Sequence, residues 1–388
     1  MSARDRSFDV CVVGAGVMGL SASHELALRG ARVLCVEKGE PGRGATGATA
    51  GTLAVQNKRS GSVPLALHAV ADWQEMSSRL DHDVEYERRG GVRVADDARS
   101  REKLERSAAE QAELGATVEM VEPPDLFELA PYLARSTIAA TYCPEDGMAN
   151  PFATVRGYLD ACTRTGNVTF RHGERVSSLE PTDGSSFVVH LDDERIHCGS
   201  VLVAVGASIA RLLRPLGIDL PLFTVIQQVL ITRAGPELFS HIVTHGGGKL
   251  TVKQQAGGNV LIGGGWTGKG NSDREEHELH YESVVGNARK AVDTIPGLSA
   301  RFLLRAWTGL EGRSPDRLPV LGPVPGFDGL HVLGCAAGGF TLGPTCGRIV
   351  ASLILGEEPA APYRPYLVSR FTNEPAALRA SSSSEEEP

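Results

Sequence analysis

Two glycine-rich turns, one near each end of the chain, carry the residue types that can hold a phosphorylated cofactor. The first is Gly14-Ala15-Gly16-Val17-Met18-Gly19, and Glu37 follows its last glycine by eighteen residues. A Gly-x-Gly-x-x-Gly run between a strand and a helix brings backbone close to a pyrophosphate. Gly14 permits the tight turn, Gly16 the close approach and Gly19 the packing of helix on sheet. The helix that opens at Val17 and Met18 offers free N–H groups and a positive dipole end to the phosphates. Glu37 is expected to accept hydrogen bonds from an adenosine ribose, with Lys38 beside it. Its charge disfavours a 2′-phosphate, so NAD or FAD is preferred to NADP.

The second turn is Gly338-Gly339-Phe340-Thr341-Leu342-Gly343-Pro344, after the strand His331-Val332-Leu333 and before an apolar helix from Thr345 to about Leu355. It supplies a second set of backbone donors and a second positive dipole end. One dinucleotide has one pyrophosphate, so this turn needs another anionic target. The N1–C2=O2 edge of a reduced isoalloxazine is such a target, which favours FAD over NAD. Between the turns lies the small-residue stretch Gly42 to Gly51, including Thr46 and Ala48, read as backbone pressed against a ligand.

The elements that must position these residues follow from periodicity. Phe8 to Val13 and Arg32 to Val36 read as strands, and Met18, Ala22 and Leu26 as one helical face ending at Gly30. Helices are expected over Leu65–Arg79 and Arg99–Leu114, and from Asn150-Pro151, an N-cap followed by proline at the first helical position, to about Thr163. Strands are expected over 89–94, 138–142, 168–170, 174–179 and 201–206, with a hairpin of 187–191 and 195–198 around Asp192-Asp193. Pro221 to Leu304 is strand-rich, with runs at 225–231, 249–253 and 260–262. His277 and His280 fall on an expected charged helix, 274–291. Their spacing is not His-Glu-x-x-His and no third ligand is evident, so no metal site is assigned.

Composition bounds the rest. The chain has 388 residues, 41% hydrophobic and 22% charged, with a net charge of −8. That length allows two packed domains and a large core, and the acidic balance argues against a nucleic-acid partner. The first seven residues are polar, so no signal peptide is expected, and no apolar run is long enough to span a bilayer. Seven cysteines without Cys-x-x-Cys spacing read as reduced thiols of a cytoplasmic protein. Ser381 to Pro388 is low-complexity and acidic, and 376–388 is expected to be a disordered tail. The fold class is α/β: a Rossmann-like nucleotide-binding domain assembled from 1–85, 137–218 and 305–360, and a substrate domain from 86–136 and 219–304.

Four motifs taken together resemble the D-amino-acid oxidase family of FAD-dependent oxidoreductases: the Gly14–Glu37 fingerprint, Thr46-Gly-x-x-Ala-Gly51, Ser314-Pro-Asp-x-x-Pro-x-x-Gly322 and Gly338-Gly-Phe-Thr-Leu-Gly-Pro344. Leu53-Ala-Val-Gln56 and Gly263-Gly-Gly-Trp266 are most similar to the flavin subunits of opine oxidase, hydroxyproline dehydrogenase and hydrogen cyanide synthase. Glycine and sarcosine oxidases belong to the same family. The resemblance implies a mainly antiparallel, mixed substrate sheet covering the flavin, and hydride transfer from the Cα–H of an amino acid or amine to flavin N5. It implies cofactor contacts at Gly51, Gly206, the backbone near Val176, and Gly338 to Leu342. FAD would be non-covalent, because Gly309 stands where monomeric sarcosine oxidase has its flavin-linked cysteine.

The arginine that anchors the substrate carboxylate in glycine and D-amino-acid oxidases is here Glu311, and a lysine of sarcosine oxidase is here Thr341. Glu311, Thr341 and Lys58, with Arg59 beside the last, are therefore the candidate substrate residues, and no catalytic base is named. Other readings are oxidation of a 2-hydroxy acid, or an electron-transferring flavin subunit of a hetero-oligomer. Partners implied are a small amine or amino acid and either oxygen or an acceptor protein.

Overall fold

A computed structural model describes residues 7–182, 186–192 and 194–372; the expected tail, 376–388, and the tip of the hairpin at Asp193 lie outside them. Two eight-stranded sheets carry the architecture. The first is built on Ser7–Val13, flanked in parallel by Val33–Glu37 and Arg195–Val203. Val168–His172 extends it beyond Val33–Glu37. Arg195–Val203 is one long strand where the sequence pattern reads two, because its halves have different neighbours. Its first half pairs with Phe187–His190 and its second with Leu330–Gly334. The runs Val10–Val13, Val33–Val36 and Val201–Val203 are apolar because helices cover one face and the small antiparallel strands and their loops the other.

Strand order in the second sheet is Leu303–Arg313, Phe223–Thr232, Val260–Gly263, Thr251–Gln254, Ile242–His245, Gly91–Ala95, Ala139–Cys143 and Glu119–Val121. Every pairing is antiparallel except Ile242–His245 against Gly91–Ala95. Strand Ala139–Cys143 and all but the first two residues of Leu303–Arg313 fall inside the segments assigned above to the nucleotide domain, yet they pair in this sheet. The chain thus passes between the sheets repeatedly.

Several elements depart from their sequence reading. The 42–51 stretch is not wholly loop, because Ala45–Ala48 forms one helical turn. Leu65–Arg79 is two helices, Val63–Gln74 and Met76–Leu80, interrupted at Glu75. Of 174–179 only the end enters a strand, Ser178–Pro181. The last helix starts at Gly339 and not Thr345, and carries Pro344 inside it. Pro344 costs one backbone bond; the Ser21 hydroxyl donates to its carbonyl at 2.8 Å, and the Trp73 indole to that of Thr341, also at 2.8 Å. His277 and His280 are not helical. Lys269–Asn271 and Glu276–Glu278 form a hairpin, and the helix begins only at Tyr281.

Candidate functional site

The two glycine turns, remote in sequence, meet in space. Helices Val17–Leu28 and Gly339–Ile354 cross in close contact, made possible by glycine on the second. A Cβ on Gly343 would lie 2.7 Å from Val17 Cγ1, and one on Gly347 2.6 Å from the Ser21 side chain. Gly339 lies against the Met18 side chain, so both N-termini converge on one region. Their first-turn N–H groups have no acceptor within their own helices, and both dipoles place partial positive charge there.

The first turn is held open from three directions. Gly14 has φ +108° and donates to the Val36 carbonyl at 2.7 Å. A Cβ on Gly19 would stand 1.9 Å from the Gly14 carbonyl oxygen. The Thr46 hydroxyl accepts the Val17 N–H at 3.1 Å. Glu37 accepts from the Ala15 N–H at 2.9 Å and the Gly39 N–H at 3.0 Å, which fixes its carboxylate beside the turn. Backbone donors at a dipole end with an acid on the flanking strand fit the pyrophosphate and ribose of a dinucleotide. Lys38, in contrast, turns away and pairs with Glu275. Phe340 and Leu342 point into the core, Phe340 against Trp73 at 5.0 Å between ring centroids, so only their backbone faces the turn. Val176 is likewise a core side chain. Gly51 and Gly206 have φ +71° and +55°, and a Cβ on Gly51 would collide with the Ala149 carbonyl.

One face of the second sheet lies against residues 46–58. Directly opposed residues share a face, and the register aligns Thr141, Arg93, Thr244, Thr251 and Gly263 on it, with Lys253 opposite Leu261. Gln227 opposite Gly309 and Val225 opposite Glu311 continue the same alternation. Four contacts bind this face to the segment: Trp307 Nε1 to the Ala48 carbonyl at 2.9 Å, Lys253 Nζ to Thr52 Oγ1 at 2.7 Å, Thr244 Oγ1 to Asn57 Oδ1 at 3.2 Å, and Thr141 Oγ1 to Gln56 Oε1 at 2.9 Å. Gly309 touches Ala48, where a Cβ would approach the alanine methyl to 2.4 Å.

Charge at this seam is arranged in pairs. Lys58 reaches the head of the second helix, with Nζ 3.2 Å from Thr341 Oγ1 and 3.4 Å from the Gly338 carbonyl. Burial lowers its pKa to about 8, against the pull of Asp146 and Glu311. Glu311 is ion-paired with Arg313 at 3.0 Å, on the strand that meets Ala48. Thr341 is 1% exposed and fully engaged: it accepts from Lys58 and from the Ala54 N–H, and donates to the Thr52 carbonyl at 3.1 Å. Arg59 is largely exposed; partial desolvation, with the Arg317 and Arg313 charges nearby, lowers its pKa. The structure therefore brings Lys58, Thr341 and Glu311 to one seam.

Sequence reasoning missed Asp146, Gln56 and Lys253. Asp146 accepts from the Val55 N–H at 2.7 Å and from Gln56 Nε2 at 3.1 Å, and burial pushes its carboxyl up to about 6. Gly91 runs over it, where a Cβ would be 2.3 Å from Oδ2. Lys253 is 2% exposed and its pKa is driven well down by burial. Its signal was a lysine on the inward side of an alternating strand. Among the described residues, no group of three or more His, Cys, Asp or Glu side chains converges as metal ligands. His277 instead bonds Thr308 Oγ1 at 2.7 Å, and His280 bonds Ser283 and Glu282. All seven cysteines are buried and free. No helix among the described residues is long and apolar enough to cross a membrane.

Comparison with known proteins agrees with this geometry. The chain is 29% identical to the glycine oxidase of Geobacillus kaustophilus over 94% of this chain and 97% of that one. It is 27% identical to hydrogen cyanide synthase subunit HcnC of Pseudomonas aeruginosa over 96% and 99%. The crystal structure of the Geobacillus glycine oxidase superposes with a TM-score of 0.86 at 26% identity, covering 94% of this chain and 99% of that one. The family model for DAO, FAD dependent oxidoreductase, matches residues 9–353. With its paired glycine turns and its acid at residue 37, the chain belongs to the DAO family of FAD-dependent oxidoreductases.

Proposed function

We propose that this flavoenzyme oxidises the C–N bond of a small amino acid or related amine. The observation that supports the reading is the placement of Lys58 and of the Glu311–Arg313 ion pair at the seam between the second glycine turn and the substrate sheet. Lys58 senses Glu311 electrostatically, and a zwitterion presents the complementary carboxylate and ammonium. Held by the two glycine turns, FAD would supply the acceptor for a hydride from the carbon bearing nitrogen. The chain's own residues bind and orient. The Gly14–Gly19 and Gly338–Leu342 backbones hold the cofactor and Glu37 its ribose. Lys58 receives the substrate carboxylate, Thr341 fixes Lys58, and Glu311, steadied by Arg313, faces the amine. Residues 46–58 close one side of the site through their hydrogen bonds to the sheet.

Gly309, pressed on Ala48, offers no thiol for covalent attachment. We infer non-covalent FAD, released to the supernatant by acid precipitation; a yellow pellet would refute this. Seven buried free thiols suit a reducing compartment, and we place the protein in the cytoplasm. A hetero-oligomeric setting is a second reading, supported by two relatives that are named as subunits, HcnC and the sarcosine oxidase subunit beta of Rhodobacter capsulatus. The deciding experiment is anaerobic mixing of the yellow protein with a panel of amino acids, secondary amines and 2-hydroxy acids. Bleaching by amines alone supports the proposal. Bleaching by hydroxy acids alone, or only when a partner protein is added, overturns it. For an identified amine, Glu311→Gln should raise KM more than it changes FAD content.

A further inference from the structure

The hairpin at 269–278 has no task in the reading above, yet it carries charged contacts from the second sheet to the loops that follow strands of the first. Its base is fixed to the second sheet. The Gly268 N–H donates to the Ile226 carbonyl at 2.9 Å, Thr267 bridges to Gln227, and His277 bonds Thr308. Its tip is preformed: Asn271 Oδ1 accepts from the Asp273 N–H at 3.0 Å and the Arg274 N–H at 3.3 Å, and Glu275 takes a left-handed φ of +58°. That geometry turns the Glu275 carboxylate toward the first sheet, where it meets Lys38 and Arg211, with Ser208 Oγ at 3.4 Å. Arg211 also donates to the Asp273 carbonyl at 3.0 Å and to Ser208 at 3.0 Å.

The position of these partners gives the contact its meaning. Ser7–Val13 is the central strand, and Val33–Glu37 and Arg195–Val203 are its two parallel neighbours. Lys38 leaves the carboxyl end of one neighbour; Ser208 and Arg211 follow the carboxyl end of the other. Strands on either side of a central one stand about 10 Å apart. Between them opens the crevice at the end of the central strand, where the Gly14 turn lies and where open α/β sheets bind their ligands. Glu275 touches both banks of that crevice. Burial alone would raise its carboxyl pKa, but Lys38 and Arg211 overcome this and hold it at about 2.

We propose that the 269–278 hairpin is a strap across the mouth of the dinucleotide crevice, and that Glu275, through Lys38 and Arg211, is a cofactor-retention residue that closes it over the adenosine half of FAD. The substrate domain then does more than cover the reacting ring; it also gates cofactor loss. Lys38 acts on the cofactor through Glu275 and not by direct contact. FAD leaves only after the two ion pairs part, so the effect falls on the release rate and is weakened by salt.

The test uses the purified holoenzyme, with flavin fluorescence followed after dilution as FAD dissociates. Glu275→Ala should release FAD about tenfold faster, the size of change expected when two partly exposed ion pairs are lost together. Release from the unaltered protein should quicken with sodium chloride, while release from the variant should not. The charge exchange Lys38→Glu with Glu275→Lys should slow release relative to Glu275→Lys alone. If Glu275→Ala does not fold, Glu275→Gln serves in its place. A release rate unchanged by the substitution, or equal salt dependence with and without the carboxylate, overturns the strap. So does a fall in apoprotein Tm as large as that of the holoenzyme with release unaltered, which would show the hairpin only props the fold.

Discussion

Lys58 is the residue whose chemistry is most exposed to test. Its ammonium is only partly compensated, by the Thr341 hydroxyl and the Gly338 carbonyl, and burial brings its pKa to about 8. Below that pH it is a cation and can receive a carboxylate; above it the charge is lost. For an identified amino acid, KM should be flat at neutral pH and rise above about pH 8, approaching tenfold per unit as the neutral fraction grows. Lys58→Met should raise KM and remove the alkaline rise, and Lys58→Arg should keep a low KM to higher pH. An alkaline limb that survives Lys58→Met would assign it to another group. Lys58 was legible in the sequence only as a basic residue after a small-residue loop. Its partner at the seam, Glu311, was visible only because relatives place a cation there.

At the scale of elements, the first βαβ unit depends on a glycine that no other residue can replace. A Cβ on Gly19 would stand 1.9 Å from the Gly14 carbonyl oxygen, with Ala204 Cβ behind it at 3.4 Å. A Cβ has no rotamer with which to escape, so the turn must open or the helix must tilt off the sheet. Gly19→Ala should cost about 3 kcal/mol in urea unfolding of the apoprotein and reduce FAD content. Gly297→Ala, in the exposed 3₁₀ turn Pro296–Ala300 where an added Cβ comes no nearer than 3.6 Å to any neighbour, should leave stability unchanged or raise it by less than about 1 kcal/mol. Equal midpoints for the two variants would refute the packing argument. This unit was fully legible, because its signals are local: period, glycine spacing and a terminal acid. The 269–278 hairpin was not, since a charged polar run with two histidines has the same pattern as a solvated helix. What makes it a hairpin is its attachment to strands forty residues upstream and thirty downstream. The early start of the last helix was hidden by Pro344, which the helix accommodates where Ser21 and Trp73, from remote parts of the chain, bond the Pro344 and Thr341 carbonyls.

For the whole molecule, the interleaved chain path governs how the protein comes apart. The sheet built on Ser7–Val13 draws strands from residues 7–37, 168–203 and 320–334, and the other sheet from the segments between. Neither sheet can lose its strands without pulling on the connections of the other, and residues 46–58 bond through Thr46 to the helix that follows Ser7–Val13 and through Thr52 and Ala48 to the second sheet. Unfolding of the holoenzyme should therefore be one cooperative transition. The three tryptophans report on it conveniently. Trp73 is buried against the last helix, Trp307 lies on Ala48 at the seam, and Trp266 donates to the Lys249 carbonyl in the second sheet. Fluorescence and far-ultraviolet circular dichroism should give coincident denaturant midpoints. Saturating FAD, at a hundred times its Kd, should move both upward together by about 2.7 kcal/mol relative to the apoprotein, because it binds the folded state alone. Two separated transitions, with FAD shifting only one, would show that the sheets unfold independently and that the seam along 46–58 does not couple them.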